Sequence, residues 1–467
     1  MSEAFTTSEI VDWTGGELLA GDGGERFRGV SIDTRSIAAG DLFIAIAGPN
    51  FDAHRFLDQA LDAGAGGLVV EAGRGSLSAA ARELPCVAVP DTTRALGDLA
   101  RGHRSRFAGP VVALTGSSGK TTTKEMCAAV LSVSAPCLKT EGNLNNDFGL
   151  PLTLLRREAE HRRVVVELGM NHRGEIARLA EIAQPDVAVL TNIGSAHIEH
   201  LGSTEEIAAE KGDLFAALDA RGVAVANRDD PLVSEQAKRC RGRVLGYGRS
   251  PEADVRGEEV RYLDEGAYAF QLATASDRVE VEVAGLGETT VINALAAAAT
   301  GVACGLELAE VARGLAAYRP PGGRMTRREL SGGATLIDDT YNANPQSMQA
   351  ALESLARLKG RGRATAVLGD MGELGDSGEA AHVATGARAG ELGVDFLVAL
   401  GKNASAYAKG ARDAGMASAR IHLARDHAEA GRIARDLAGP EDWILVKGSR
   451  AARMERVVEL LAAEETA

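Results

Sequence analysis

The sequence predicts an α/β protein of two or three domains with a phosphate-binding loop in its middle. Three observations carry this expectation. A chain of 467 residues exceeds what one hydrophobic core supports, since domains run roughly 100–200 residues. Short apolar runs alternate with amphipathic helical stretches from end to end, the pattern of α/β architecture. A glycine-rich segment, residues 115–122, sits directly between an apolar run and a helical one.

Three blocks follow from that alternation. In the first, 1–107, strand-like runs occupy 41–47 and 67–70, with a helical stretch near 56–63. The basic segment 101–107, followed by Gly109-Pro110, reads as a boundary. The second block, 108–318, opens with a strand at 111–114 and continues with strands at 164–166, 187–190 and 223–225. Short polar strands between Val255 and Val283, with Gly266 and Asp277 as turn residues, predict a small antiparallel patch. An alanine-rich helix spans 291–304. Arg319-Pro320-Pro321-Gly322-Gly323 then interrupts the chain, because successive prolines and glycines cannot continue a helix. The third block, 319–467, alternates again, with strands at 334–337, 364–368, 396–400 and 443–446. No internal repeat interrupts the pattern.

Composition removes several function classes. With 45% apolar and 25% charged residues, the chain has the make-up of a soluble globular protein. No apolar run approaches the ~18 residues of a membrane span. The first 15 residues lack a basic start followed by an apolar run, so a cytoplasmic location is expected. Cys86, Cys127, Cys137, Cys240 and Cys304 are scattered without a C-x-x-C pair, which favours free thiols over disulfides or a zinc site. A formal net charge of −14 argues against nucleic acid or an anionic membrane as the main partner. An anionic nucleotide then needs a local, organised cradle.

Thr115-Gly116-Ser117-Ser118-Gly119-Lys120-Thr121-Thr122 is that cradle. Its glycines let backbone N–H groups turn inward around phosphate oxygens, Lys120 adds charge for the outer phosphates, and the Thr121 hydroxyl can ligate Mg²⁺. The helix behind it presents the positive end of its dipole. In the usual P-loop spacing a glycine would stand at Leu114; here the first glycine is displaced to Gly116. The loop itself does not separate ATP from GTP, but no N-K-x-D guanine-reading sequence follows it.

A P-loop enzyme needs a carboxylate for magnesium. Glu167, at the end of the apolar run 164–166 and beside Leu168-Gly169, is the candidate, since doubly wound sheets place functional groups at strand ends. His197 follows another strand; as a lone loop histidine it reads equally as a ligand or a surface residue. Lys211, in Glu210-Lys211-Gly212-Asp213, reads locally as a helix-surface lysine.

Taken together, these segments resemble the Mur ligases of bacterial cell-wall synthesis. The resemblance is carried by 115–122, Glu141-Gly142-Asn143-Leu144-Asn145-Asn146, 167–170, 192–197, Asp338-Asp339-Thr340-Tyr341-Asn342-Ala343-Asn344-Pro345, Gly369-Asp370-Met371-Gly372-Glu373-Leu374-Gly375 and Lys447-Gly448-Ser449-Arg450. The 338–345 and 369–375 strings point to the members that add D-alanyl-D-alanine to UDP-N-acetylmuramoyl-tripeptide. The resemblance implies three domains: a UDP-sugar-binding 1–107, a central P-loop ATPase-type parallel sheet in 108–318, and a Rossmann-like ligase domain in 319–467. It implies Lys120 as the phosphate lysine and Thr121 and Glu167 as Mg²⁺ ligands. His197 would serve a second Mg²⁺, and Lys211 would be carbamylated. Asn293, Arg324, Asp339, Tyr341 and Asn344 would contact ATP; Asn143, Asn145 and Asn146 would approach the muramoyl-peptide. Ser31, Asp33, Thr34 and Arg35 are similar to the family's uridine-nucleotide segment, whereas Asp52-Ala53-His54 departs from the D-G-H more usual there. The implied reaction is carboxylate phosphorylation by ATP, followed by attack of the amine on the acyl-phosphate. Small-molecule partners, a monomer, and closure of the third domain over the centre are expected with it. The rival readings are a ligase with another amine acceptor, a P-loop switch or motor, and a nucleotide binder without turnover.

Overall fold

A computed structural model describes residues 3–48, 51–74, 77–194, 198–263 and 266–463. Among the described residues, three large sheets follow one another along the chain, of five, nine and six strands. The first runs Glu17–Ala20, Cys86–Val89, Gly67–Glu71, Leu42–Ile44, Val30–Ser31, parallel except for its first pair. The six-stranded sheet runs Thr326–Glu329, Thr335–Asp339, Trp443–Lys447, Ala364–Leu368, Phe396–Leu400, Ile421–Ala424, again antiparallel only at its first pair.

The central sheet positions the chemistry. Its order is Arg278–Ala284, Ala267–Ala273, Val255–Leu263, Arg243–Gly248, Val223–Asn227, Val187–Leu190, Val111–Thr115, Arg163–Glu167, Cys137–Lys139. The last six are parallel, and apart from the half-buried edge strand Cys137–Lys139 their apolar runs are largely buried on both faces, as strands covered by helices on each side require. The polar strands between Val255 and Val283 do pair antiparallel, but they extend this same sheet through the Tyr247↔Val255 register. The patch expected from sequence is therefore the sheet's edge. The alternating burial of 278–284 is typical of a strand with one wet face.

The basic segment 101–107 is no loose linker. It forms the last turns of the helix Thr92–Ser105 and the residues just after it. Buried Arg104 donates to the carbonyls of Ala183 (3.0 Å), Phe107 (2.8 Å) and Gln184 (2.8 Å) and to Asp186 Oδ2 (2.9 Å). Asp186 also receives the Val111 N–H (2.9 Å), so one guanidinium ties the first unit to the start of the P-loop strand. A basic residue at a boundary is here a buried joint.

In the third unit the helices Gly378–Glu391 and Ala404–Asp413 cross at two glycines. A Cβ on Gly410 would stand 1.8 Å from the Val383 carbonyl oxygen, and one on Gly386 would stand 2.0 Å from that of Tyr407. Backbone cannot yield as a side-chain tip does. Gly410→Ala is therefore expected to destabilise the protein by about 1–3 kcal/mol, as overpacking does, read as a lowered thermal midpoint.

Candidate active site

Register brings three strand ends to one edge. Glu167 pairs with Leu114 and Leu190 with Thr115, so the loops after 115, 167 and 190 emerge side by side. The strand Val111–Thr115 lies between Val187–Leu190 and Arg163–Glu167, where the chain's winding reverses. Ligands of open α/β sheets sit in that crevice.

The phosphate loop is held from behind. Gly119, with φ +75°, turns the chain into the helix Lys120–Leu131. Asn293 Oδ1 lies 2.6 Å from where a Cβ would be. Both the left-handed backbone and the contact thus require glycine. Asn293 Oδ1 accepts from Thr123 Oγ1 (3.2 Å). Asn192 clamps the loop's crown: its Oδ1 accepts from Ser118 N (2.9 Å) and its Nδ2 donates to Ser118 O (3.0 Å). Lys120 Nζ donates to the Gly116 carbonyl (2.8 Å). Thr121 Oγ1 donates to Glu167 Oε2 (3.0 Å), and Asn145 Nδ2 donates to Glu167 Oε1 (2.9 Å).

The third unit covers this loop. Arg324 donates to Thr121 Oγ1 (2.8 Å) and lies over the Tyr341 ring, 4.0 Å from its centroid. Asn344 caps the helix Pro345–Leu358 and donates from Nδ2 to Ser117 O (3.3 Å). Buried Lys447 donates to Asp339 Oδ2 (2.6 Å) and to the Asn342 carbonyl (2.9 Å), bracing the segment that carries Tyr341. Between the two units lies a cavity of about 1150 Å³, lined by 117–122, Asn143, Asn145, Asn146, Glu167, Asn293, Arg324, Asp339, Tyr341 and Asn344.

Two lysines are perturbed. Burial holds the Lys120 ammonium below its ordinary range, with Arg324 adding to the depression and Glu167 and Glu373 opposing it. Lys211 is pushed well below 10.5, first by burial and then by the nearby charge of Lys120, with Glu210 opposing. Glu210 is itself engaged by the N–H groups of Gly174 (2.8 Å) and Ile176 (2.9 Å).

Family comparison decides what this cavity belongs to. The Mur ligase middle domain matches residues 114–301, the Mur ligase glutamate ligase domain 323–450, and the Mur ligase family catalytic domain 26–104. The chain belongs to the Mur ligase family. It is 38% identical over 461 residues, 98% of each chain, to the UDP-N-acetylmuramoyl-tripeptide–D-alanyl-D-alanine ligase of Escherichia coli K12. A crystal structure of MurF from Acinetobacter baumannii superposes with a TM-score of 0.89 at 35% identity, covering 98% of this chain and 99% of that one. MurF ligase from Thermotoga maritima, solved in complex with ADP, does so at 0.82 and 30% identity, covering 94% and 99%.

Against this Mur ligase frame the site residues separate clearly. Residues 117–122, Glu167, Asn293, Arg324, Asp339, Tyr341 and Asn344 meet at one cavity. Thr115 and Gly116 stand behind its wall: the Thr115 side chain is fully buried, and Gly116 offers its carbonyl to Lys120. Asn146 spends its amide oxygen on the start of the helix Gly149–Leu155, accepting from Gly149 N (2.9 Å). Ser31, Asp33, Thr34 and Arg35 lie elsewhere, at the end of Val30–Ser31. There Arg35 donates to Asp33 (2.6 Å) and holds its carboxyl at about 2. His197 lies outside the described residues.

One local reading is overturned. Lys211 is not on the surface: it is 1% exposed, within the helix Thr204–Ala216. That helix packs against both Glu175–Ala183 and Pro231–Ala237, so a polar run is covered by neighbours its own sequence does not announce. Asn192, given no role by sequence reasoning, did carry a signal: it is a polar residue two positions past the apolar run 187–190.

Proposed function

We propose that this chain is an ATP-dependent ligase that joins D-alanyl-D-alanine to the terminal carboxylate of UDP-N-acetylmuramoyl-tripeptide, releasing ADP and phosphate, in peptidoglycan precursor synthesis. The observation that carries the reading is the P-loop cavity at the central sheet's crevice, roofed by Arg324, Tyr341 and Asn344. Near-full-length similarity to ligases of that name supports the substrates.

The chemistry follows from the wall. The N–H groups at the start of the helix Lys120–Leu131 would face phosphate oxygens, while those of Ser117 and Ser118 are held by Asn192. Lys120 and Arg324 balance charge as a carboxylate oxygen attacks the γ-phosphorus and the bond to ADP breaks. The dipeptide amine then attacks the acyl carbon, the C–O bond to phosphate breaks, and the amine gives up a proton. Cover by the third unit keeps water from the acyl-phosphate.

The hydroxyl of Thr121 and the carboxylate of Glu167, 3.0 Å apart, are the oxygen donors that hard cations take. These two would hold Mg²⁺, with His197 serving a second ion. When bound, the metal neutralises charge developing on phosphoryl oxygens. Lys211 suits carbamylation, because burial favours its neutral, nucleophilic amine. A carbamate would place an anion where two lysines otherwise repel.

We assign the UDP-sugar to 1–107 through Ser31, Asp33, Thr34 and Arg35, the ATPase core to 108–318 and the ligase domain to 319–467. Asn143, Asn145 and Asn146 face the muramoyl-peptide. We take the enzyme to act as a cytoplasmic monomer on small molecules. The net charge of −14 argues against nucleic acid or an anionic membrane as the main partner, and among the described residues no helix is long and apolar enough to cross a membrane.

A phosphate-release assay with ATP tests the reading. Phosphate should appear only when UDP-tripeptide and D-alanyl-D-alanine are both present. Release without either acceptor would identify a switch-type NTPase. Release with single amino acids but not the dipeptide would identify a sister ligase.

A further inference from the structure

The helix behind the phosphate loop carries a second lysine that the chemistry above does not use. Lys124 is 1% exposed and stands three residues past Thr121 in the helix Lys120–Leu131, a spacing that puts the two on one face. Its ammonium donates to the Thr140 carbonyl (2.7 Å) and pairs with Glu125 (2.9 Å), which also takes Lys139. A buried ammonium is costly unless it is paired and hydrogen-bonded. One partner here is its neighbour in sequence; the other is a single backbone oxygen at the end of the central sheet's edge strand.

That oxygen belongs to a hub. Thr140 is fully buried, and each of its polar atoms is engaged: the N–H donates to the Val165 carbonyl (3.0 Å), the carbonyl accepts from Lys124, and Oγ1 accepts from Glu167 N (3.0 Å). The strand before it, Cys137–Lys139, is short and paired on one side only. The chain after it enters 141–146, which lines the active-site cavity with Gly142, Asn143, Asn145 and Asn146. The far end of that loop is fixed as well. The Asn145 carbonyl accepts from Gly169 N (2.8 Å), its Nδ2 donates to Glu167 Oε1 (2.9 Å), and Gly142 turns the chain between the two anchors at φ +53°. Both ends of the loop are thus referred to the strand of Glu167, and the near end is also tied to the phosphate helix by Lys124.

We propose that Lys124 is a positioning residue for the acceptor: through Thr140 it sets the loop 141–146 against the phosphate loop, so that the acceptor carboxylate meets the γ-phosphate in line; this rests on the ligase reading above. One helix then presents Thr121 to the nucleotide side and Lys124 to the acceptor side. Lys124 is not among the residues that line the cavity, so it acts only through the loop it holds. A charge-assisted bond to a carbonyl is directional enough for that task, and a loop displaced by about 1 Å is enough to slow a reaction between oriented groups.

The test compares Lys124→Met, Thr140→Val and Thr140→Ser with wild type. Methionine keeps the buried stem and removes the ammonium; valine keeps the shape of Thr140 and removes the acceptor of the Glu167 N–H. Lys124→Met should raise KM for UDP-tripeptide roughly 10–100-fold, the worth of a bond to a charged group, and lower kcat with it. The Kd of a non-hydrolysable ATP analogue, read by calorimetry, should move less than about twofold, because Asn192 holds the phosphate loop independently. Thr140→Val should shift the UDP-tripeptide KM in the same direction, whereas Thr140→Ser, which keeps the hydroxyl, should stay within about twofold of wild type. An unchanged UDP-tripeptide KM in Lys124→Met, or an analogue Kd that rises as far as that KM does, would overturn the assignment while leaving the ligase reading intact. Should Lys124→Met fail to fold, the threonine variants decide: equal KM values for valine and serine would overturn it. A wild-type enzyme inert toward UDP-tripeptide and D-alanyl-D-alanine would overturn both.

Discussion

Lys120→Ala should remove acceptor-dependent phosphate release while the protein stays folded. Lys120 stands at the start of the helix behind the phosphate loop, on the cavity wall between Glu167 and Arg324. Both chemical steps build negative charge on oxygens beside it, and a preorganised cation in a water-poor cleft acts where that charge develops. Loss of one such donor costs roughly 10²–10³-fold in kcat, and on the proposed reading the same group would also grip the nucleotide. Stability should follow the opposite logic. Burial holds the ammonium below its ordinary range, so its charged form opposes folding. Alanine removes that opposition together with one bond to the Gly116 carbonyl. The thermal midpoint should therefore shift by only a few degrees, about what a 1 kcal/mol change produces. Turnover near wild type would remove Lys120 from the chemistry; an unfolded variant would make it a structural residue.

Lys211→Ala is expected to cost as much activity, and to regain part of it in short-chain carboxylates. Lys211 is not among the residues that line the cavity, and its effect is electrostatic: unmodified, it is a buried lysine whose charged form is disfavoured by burial and by nearby Lys120. As a carbamate it supplies an anion instead, and formate or acetate can occupy the space alanine leaves. A fully active alanine variant would exclude it. The same group makes a stability prediction whose sign follows from its depressed pKa. The folded chain binds fewer protons here than the unfolded chain, whose lysine titrates near 10.5. Stability of the unmodified protein therefore falls as pH drops below about 10.5 toward the depressed value, and rises again with pH. Bicarbonate at neutral pH should raise the wild-type melting temperature and leave Lys211→Met unchanged. An identical response in both proteins would sink the carbamate.

Much of the fold was legible because it is written locally. The runs 111–114, 164–166 and 187–190 are apolar on every position because both sheet faces are covered, and burial on both faces leaves a continuous apolar run. The phosphate loop announces itself because its chemistry is a backbone conformation, and Gly119 at φ +75° is a requirement one residue can display. Strand-end position made Glu167 readable for the same reason.

What only the tertiary structure decided depends on segments far apart in the chain. Arg104 looks like a solvated charge until four acceptors from 107–186 surround it. Lys211 lies in a polar run and is buried only because two other helices close over it. Arg324 meets Thr121 across 203 residues, and Asn344 meets Ser117 across 227. Periodicity and turn chemistry record a residue's neighbours in sequence. They cannot record the neighbours that fix whether a lysine is charged, or which guanidinium reaches a phosphate loop, because those arise from how sheets and helices pack after they have formed.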